Sequence, residues 1–249
     1  MSLKLELKNN NISLEKLTLP SRYYLFREGE NYVKLLNVGE GLFPDDKIHT
    51  ELNMTNSNLI LASESALKVY PSSGKFAVNR YVFNLKCSNL EFLNDETIMF
   101  KNSRLLQLFS LDFDENSTFF YSDLFSAGRS FEEYDFGEYT ARNRFSCNKK
   151  IEYLEKFKIS GFEFKEYLKR HKAQNRLFAK IYIKTKDNEA FGELLLRAGI
   201  KSFEKTQNEA FLMCIVLADK ISKIKSTINL IWELYRNMLG KNRFDLGKR

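Results

Sequence analysis

Tyr121-Ser-Asp-Leu-Phe-Ser-Ala-Gly-Arg129 is followed almost at once by Phe131-Glu-Glu-Tyr-Asp-Phe-Gly-Glu-Tyr139. A strand-like run enters, a Gly-Arg pair turns the chain, and a second strand-like run leaves. Gly128 takes a positive φ without steric cost, so a forced turn fits there. Arg129 sets a planar five-donor fork beside a cluster of carboxylates. From the residues alone this is a hairpin corner with a charged tip.

The same texture extends outward on both sides. Leu3, Leu5 and Leu7 alternate with Lys4, Glu6 and Lys8; Tyr81, Phe83, Leu85 and Cys87 alternate with polar residues, as do Phe109, Leu111 and Phe113. Period-two alternation gives each strand one buried and one solvated face. Turn-prone groups separate the runs: Asn9–Asn11, Asn53–Asn58, Ser72–Gly74, Glu115–Ser117 and Asn148–Lys150. Strands arriving this regularly without helices between them exclude a βαβ sheet and leave a sandwich, a barrel or a β-solenoid. No internal repeat with a period of 20–50 residues is evident in the letters.

The last third changes character. Asp187 caps a helix over 187–197 that Gly199 stops. Phe211–Leu217 reads as a buried strand. A helix over 219–239 carries Ile221, Ile224, Ile228, Ile231, Trp232, Tyr235 and Leu239 on one stripe. The organisation expected is a single domain over 1–249. It has a strand-rich body at 1–185, a helix-strand-helix part at 186–240 and a polar tail at 241–249.

With 249 residues the chain is long enough to bury a substantial core. Its 22 Phe and 12 Tyr favour a pleated, half-buried surface. The net charge of +7 comes from Lys and Arg interspersed with acids, which reads as a solvated surface, an acidic protein partner being the alternative. No basic block points to nucleic acid. Cys87, Cys147 and Cys214 are an odd, widely spaced set, as in a reducing compartment. The alternating N-terminus is a strand rather than a secretion signal, and no run approaches the roughly 18 apolar residues of a membrane span. A cytoplasmic protein that meets no membrane is expected.

Residues for catalysis are scarce. His49 and His171 are the two histidines, His171 lies in the charged stretch Lys169–Lys172, and no Gly-x-Ser-x-Gly elbow is present. The pairs Asp95-Glu96 and Glu132-Glu133 suggest glycoside chemistry, but adjacent strand residues face opposite ways and do not converge on one substrate. No phosphate-binding glycine motif exists, and Gly39-Glu-Gly41 carries Glu40, Asp45 and Asp46, which repel phosphate. Imidazole and thiolate ligands at metal-binding spacing are missing, so no tightly bound cofactor is expected.

Four blocks, in order, resemble one family. They are Asn37-Val-Gly-Glu-Gly-Leu-Phe-Pro-Asp-Asp46, Leu61-Ala-Ser-Glu-Ser-Ala-Leu-Lys-Val-Tyr70, Leu90-Glu-Phe-Leu-Asn-Asp-Glu-Thr-Ile-Met-Phe-Lys-Asn-Ser-Arg104 and the opening stretch. Together they resemble the urease accessory protein family UreD, called UreH in some bacteria, most clearly over residues 30–160. Glu40, Asp45 and Asn94 depart from the family's usual residues.

The resemblance implies a mainly β protein: a β-helix-like stack of many short strands with two α-helices near the C-terminal end. It implies a non-enzyme that binds nickel-free urease subunits and recruits an adaptor of the UreF type and a GTPase of the UreG type. Nickel passes in transit along a route of carboxylates, hydroxyls and water. Matched positions give Asp46, Lys68, Glu91, Asp95 and Glu132 as transit-path candidates. They give Ser103, Arg104, Asp123, Gly128, Arg129 and Tyr139 as a partner-binding or structural corner, with Arg104 and Arg129 holding carboxylates on neighbouring strands. The alternative is a β-rich protein–protein adaptor unrelated to urease.

Overall fold

Alternating residues make the strands, and the turn after each strand decides how they stack. The computed structural model of the chain describes residues 2–27, 29–37, 39–126, 128, 134–171 and 177–247. Two hairpins open it: β1 (Ser2–Lys8) with β2 (Asn11–Thr18), and β3 (Ser21–Phe26) with β4 (Tyr32–Asn37). Successive coils follow. The first holds β5 (Lys47–Thr55), β6 (Asn58–Ser63) and β7 (Leu67–Val69). The second holds β8 (Ala77–Lys86), β9 (Asn89–Leu93) and β10 (Thr97–Met99), and the third β11 (Arg104–Phe113) and β12 (Thr118–Ser126). After them come β13 (Glu138–Cys147), β14 (Lys150–Ile159), α1 (Gly161–Arg170), β15 (Leu177–Lys184), α2 (Asn188–Arg197), β16 (Phe203–Lys205), β17 (Leu212–Ala218) and α3 (Ile221–Met238).

Each coil gives its first strand to one sheet and its second to another. β5, β8, β11 and β13 lie side by side and parallel, as do β4, β6, β9 and β12, while β7 and β10 form a short third ladder. Among the described residues the sheets run β14-β13-β11-β8-β5-β1-β2 and β16-β17-β15-β12-β9-β6-β4-β3. Parallel strands without intervening helices make a β-solenoid, as the resemblance implies. The hairpin partners β2, β3 and β14, and β15 beside β12, run antiparallel to their neighbours.

The solenoid does have a repeat, and it lies in the corners. Asn56-Ser57-Asn58, Cys87-Ser88-Asn89 and Asn116-Ser117-Thr118 stack on one another. Ser57 N–H donates to Ser88 Oγ, and Ser88 N–H to Ser117 Oγ, both at 3.2 Å across 31 and 29 residues. The strands between these corners share a pattern and not letters, which hides the period. One consequence corrects an expectation: Cys87 ends no apolar strand, but sits exposed in the corner with φ +46°, its N–H held by Asp114.

Between the sheets the aromatic residues pack in a continuous layer, with Phe109 and Tyr121 stacked at 4.0 Å and Phe83, Phe92, Phe119, Phe145 and Tyr182 around them. The far side of the ten-stranded sheet is covered by α2 and α3 through Phe191, Leu195, Ile224, Ile228, Ile231, Trp232 and Tyr235. Both helices fall where the sequence places them, and Asp187 caps α2 by accepting from Ala190 N–H at 2.9 Å. β17 is buried only on alternate residues, leaving Ile215 and Leu217 exposed, since one of its faces is turned away from the helices. α1 is an addition to the expected pair. Its start, Ser160-Gly-Phe-Glu163, is a reciprocal capping box legible in the letters.

Candidate functional site

Alternation along β12 sends Tyr121, Asp123 and Phe125 between the sheets and Phe120, Ser122 and Leu124 toward the helices. A carboxylate therefore lies inside an aromatic core. Gln107, inward on β11, donates to Asp123 Oδ2 at 2.7 Å. Burial pushes the Asp123 carboxyl up to about 6, against the Gln107 bond that favours its charged form. Nearby, Asn79 donates to Tyr81 OH at 3.2 Å, and Asn143 donates to Tyr182 OH and Glu155 at 2.9 and 3.0 Å. Lys180 completes the group through an ion pair with Glu155. Burial raises the phenol of Tyr81 to about 12 and holds those of Tyr121 and Tyr139 well above their usual range, so all three stay protonated donors.

This polar layer is incompletely paired. The Asn94 amide also supports the Asp123 carboxylate, while among the described residues Gln107 Oε1, Asn79 Oδ1, Ser122 Oγ and Tyr121 OH make no hydrogen bond. Each such group costs on the order of 1–3 kcal/mol when buried dry, so stability alone gives no reason to keep them. Two cavities adjoin the layer. The larger, about 550 Å³, opens between the ten-stranded sheet, α3 and the C-terminal segment, with Asp95, Ser122, Lys225 and Trp232 in its wall. The smaller, about 30 Å³, lies between the sheets against Asn79, Tyr81, Thr50 and Ser63. Asn94 is the wall residue shared by the helix-side cavity and the intersheet one, while Asp123 and Gln107 line neither.

The residues singled out by the resemblance scatter around these cavities. Asp95 lines the larger one, facing Lys225 at 3.3 Å, whereas Asp123 belongs to the intersheet polar layer and lines neither cavity. Glu91, fully buried one layer away beneath α3, has both oxygens engaged. Oε2 accepts from Trp232 at 2.7 Å and Arg236 at 2.6 Å, and Oε1 from Lys241 at 2.8 Å and Asn89 at 3.1 Å. Asp46 closes its own loop by accepting from Phe43 N–H at 2.8 Å, and Lys68 points outward from β7. Ser103 is buried, and its carbonyl receives the N–H groups of Gly137 and Glu138. Arg104 faces Glu138 on the neighbouring strand at 3.8 Å, the kind of pairing expected of it, in a half-exposed position worth roughly 0–1 kcal/mol. Tyr139 packs on Phe125 at 4.8 Å, and Gly128 has the left-handed φ of +117° that its turn requires. Arg129 and Glu132 lie outside the described residues.

Gln107 and Asn79 in the polar layer and Asn94 in the wall of both cavities escaped the sequence reading. Their signal was present: each is a polar residue at or beside the inward phase of an otherwise apolar alternation. Among the described residues no three His, Cys, Asp or Glu side chains converge to hold a metal ion, and no helix is long and apolar enough to cross a membrane.

Comparison with known proteins accounts for this architecture. The family model described as UreD urease accessory protein matches residues 17–245. A urease accessory protein UreD of Aliarcobacter butzleri (strain RM4018) is 48% identical over 250 residues, covering 100% of both chains. The UreD protein of Prochlorococcus marinus (strain AS9601) is 30% identical over 182 residues, 65% of this chain and 61% of its own. That of Staphylococcus epidermidis (strain ATCC 12228 / FDA PCI 1200) is 30% identical over 132 residues, 52% and 48% of the two chains. With a family match over most of its length and a full-length relative, the chain belongs to the UreD family of urease accessory proteins and takes part in urease maturation.

Proposed function

We propose that the chain is a non-catalytic scaffold of the cytoplasm. It binds nickel-free urease, recruits an adaptor of the UreF type and through it a GTPase of the UreG type, and lends its interior to the nickel in transit. The observation that supports the metal route is Asp123, a carboxylate inside an aromatic core, with Asp95 in the wall of the helix-side cavity and Asn94 lining both cavities.

The chemistry suits passage rather than storage. A carboxyl with a pKa near 6 is largely ionised at neutral pH and offers a divalent cation a single negative ligand. Amide and hydroxyl oxygens of Gln107, Ser122 and Asn79 add neutral donors, which bind a borderline metal weakly. Weak, serial ligands let an ion leave as readily as it enters. Glu91 takes no part in this route, since its charge is neutralised by Arg236 and Lys241; it anchors α3 to the sheet.

Co-purification tests the scaffold role. Tagged chain is mixed with nickel-free urease, the adaptor and the GTPase, and the eluted species are weighed by mass spectrometry. A complex holding urease and adaptor together is expected. A folded chain that retains neither would overturn the reading and leave an adaptor unrelated to urease.

A further inference from the structure

The two sheets are treated differently on their outer sides. Helices α2 and α3 cover the ten-stranded sheet, whereas among the described residues no helix packs on the outer side of the seven-stranded one. Strand register arranges that bare side into rows. One row runs His49, Arg80, Leu108, Arg142 and Lys156 across β5, β8, β11, β13 and β14. The next runs Lys4, Glu51, Val82, Ser110, Arg144 and Leu154. Neighbouring strands are about 4.8 Å apart, so Arg80 and Arg142 arise about 10 Å apart with Leu108 between them.

The charges on this face do not cancel. Its acids are already occupied: Glu51 by Lys4 at 2.9 Å, Asp112 by Lys149 at 2.8 Å and Glu138 by Lys158 at 3.1 Å. Exposed Arg80, Arg142, Arg144 and Lys156 have no carboxylate within 4 Å among the described residues. Half-exposed Val78, Val82, Leu106 and Leu108 lie among them. His49 adds no charge, because burial and the neighbouring Arg80 hold its imidazole below its ordinary pKa. Unpaired arginines around an aliphatic centre are what protein interfaces enrich. The apolar centre does not suit a nucleic acid, whose phosphates favour a polar, strongly basic surface.

We propose that the outer face of the seven-stranded sheet docks a carboxylate-rich surface of a protein partner, with acids on Arg80, Arg142 and Arg144 and apolar side chains on Leu106 and Leu108. That this partner belongs to the urease complex rests on the function proposed above; the chemistry of the face does not.

The experiment compares the wild type with Arg80→Glu/Arg142→Glu and with Lys201→Glu/Lys220→Glu, a control of equal charge change away from the face. Arg142→Ala/Arg144→Ala replaces the first variant if charge reversal disturbs folding. Binding is measured at low and moderate salt to nickel-free urease, to the adaptor, to poly-L-glutamate and to duplex DNA. The face variant is expected to lose at least tenfold in affinity for one protein partner and for poly-L-glutamate at low salt, with the control within twofold. Equal losses in face and control variants, or none, would overturn the proposal. DNA held more tightly than poly-L-glutamate and lost with the face variant would overturn it in favour of nucleic acid. Failure of the functional reading looks different: the wild type binds neither urease nor adaptor, and the poly-L-glutamate arm still decides the chemistry of the face.

Discussion

Gln107 and Asp123 meet across the gap between the two sheets, amide to carboxylate, at 2.7 Å. Each sits at an inward position where its strand neighbours are apolar. A buried carboxylate held mainly by neutral amides is an unfavourable arrangement, and what it costs can be measured.

Asp123 should make stability depend on pH. Its folded pKa of about 6 lies above its ordinary value of 3.8, so the folded state holds the proton more tightly. The stabilising contribution is complete below about pH 4 and is lost as the pH rises through 6, an effect on the order of 3 kcal/mol at neutral pH. Asp123→Asn keeps the shape and an acceptor for Gln107 without the charge. Thermal melts should show the variant roughly 5–10 °C above the wild type at pH 7.5, with the gap closing by pH 4.

Glu91 should behave in the opposite way. Glu91→Ala strips Arg236 of a buried partner at 2.6 Å and frees Trp232 and Lys241, which should cost about 3–5 kcal/mol in urea unfolding. Replacing Glu91 and Arg236 together with Met should cost less than the single change, because no uncompensated charge remains.

The serine corners should contribute to stability through their stacking. Ser88 Oγ donates to Lys86 O at 2.7 Å and accepts from Ser57 N–H. Ser88→Ala leaves the buried Ser57 N–H unpaired, while Lys86 O keeps the Asn56 N–H at 3.0 Å, and should cost about 1–3 kcal/mol. Ser13→Ala, whose hydroxyl is exposed, should stay within about 0.5 kcal/mol.

Gly41 is held by sterics. With φ +146°, a Cβ there would stand 2.3 Å from Lys68 O, the acceptor of Leu42 N–H. Gly41→Ala should lower stability by about 1–3 kcal/mol and remove the hydrogen-exchange protection of the Leu42 amide.

Much of the fold could be read from particular residues. Leu3, Leu5 and Leu7, or Phe109, Leu111 and Phe113, announce their strands by period two, and Asp187 and the Ile224–Tyr235 stripe announce α2 and α3. Alternation is silent on which strands pair, so choosing the solenoid needed the resemblance. The repeat was missed because only Ser57, Ser88 and Ser117 preserve it. The polar layer was half legible: Asp123 came from a matched block, while Gln107 and Asn79 need the register that sets β8 beside β11. Glu91 matched the family as a path candidate, yet its role depends on Arg236, 145 residues away.

The most direct test of the account is the rate of urease activation at limiting nickel. Nickel-free urease is incubated with GTP, bicarbonate, the GTPase, the adaptor and either the wild-type chain or Asp95→Asn/Asp123→Asn, with complex assembly measured alongside. The account expects activation that depends on the wild-type chain, and a variant that assembles normally but activates at least tenfold more slowly. Equal rates for the two, or no activation from a wild-type complex that has assembled, would contradict it.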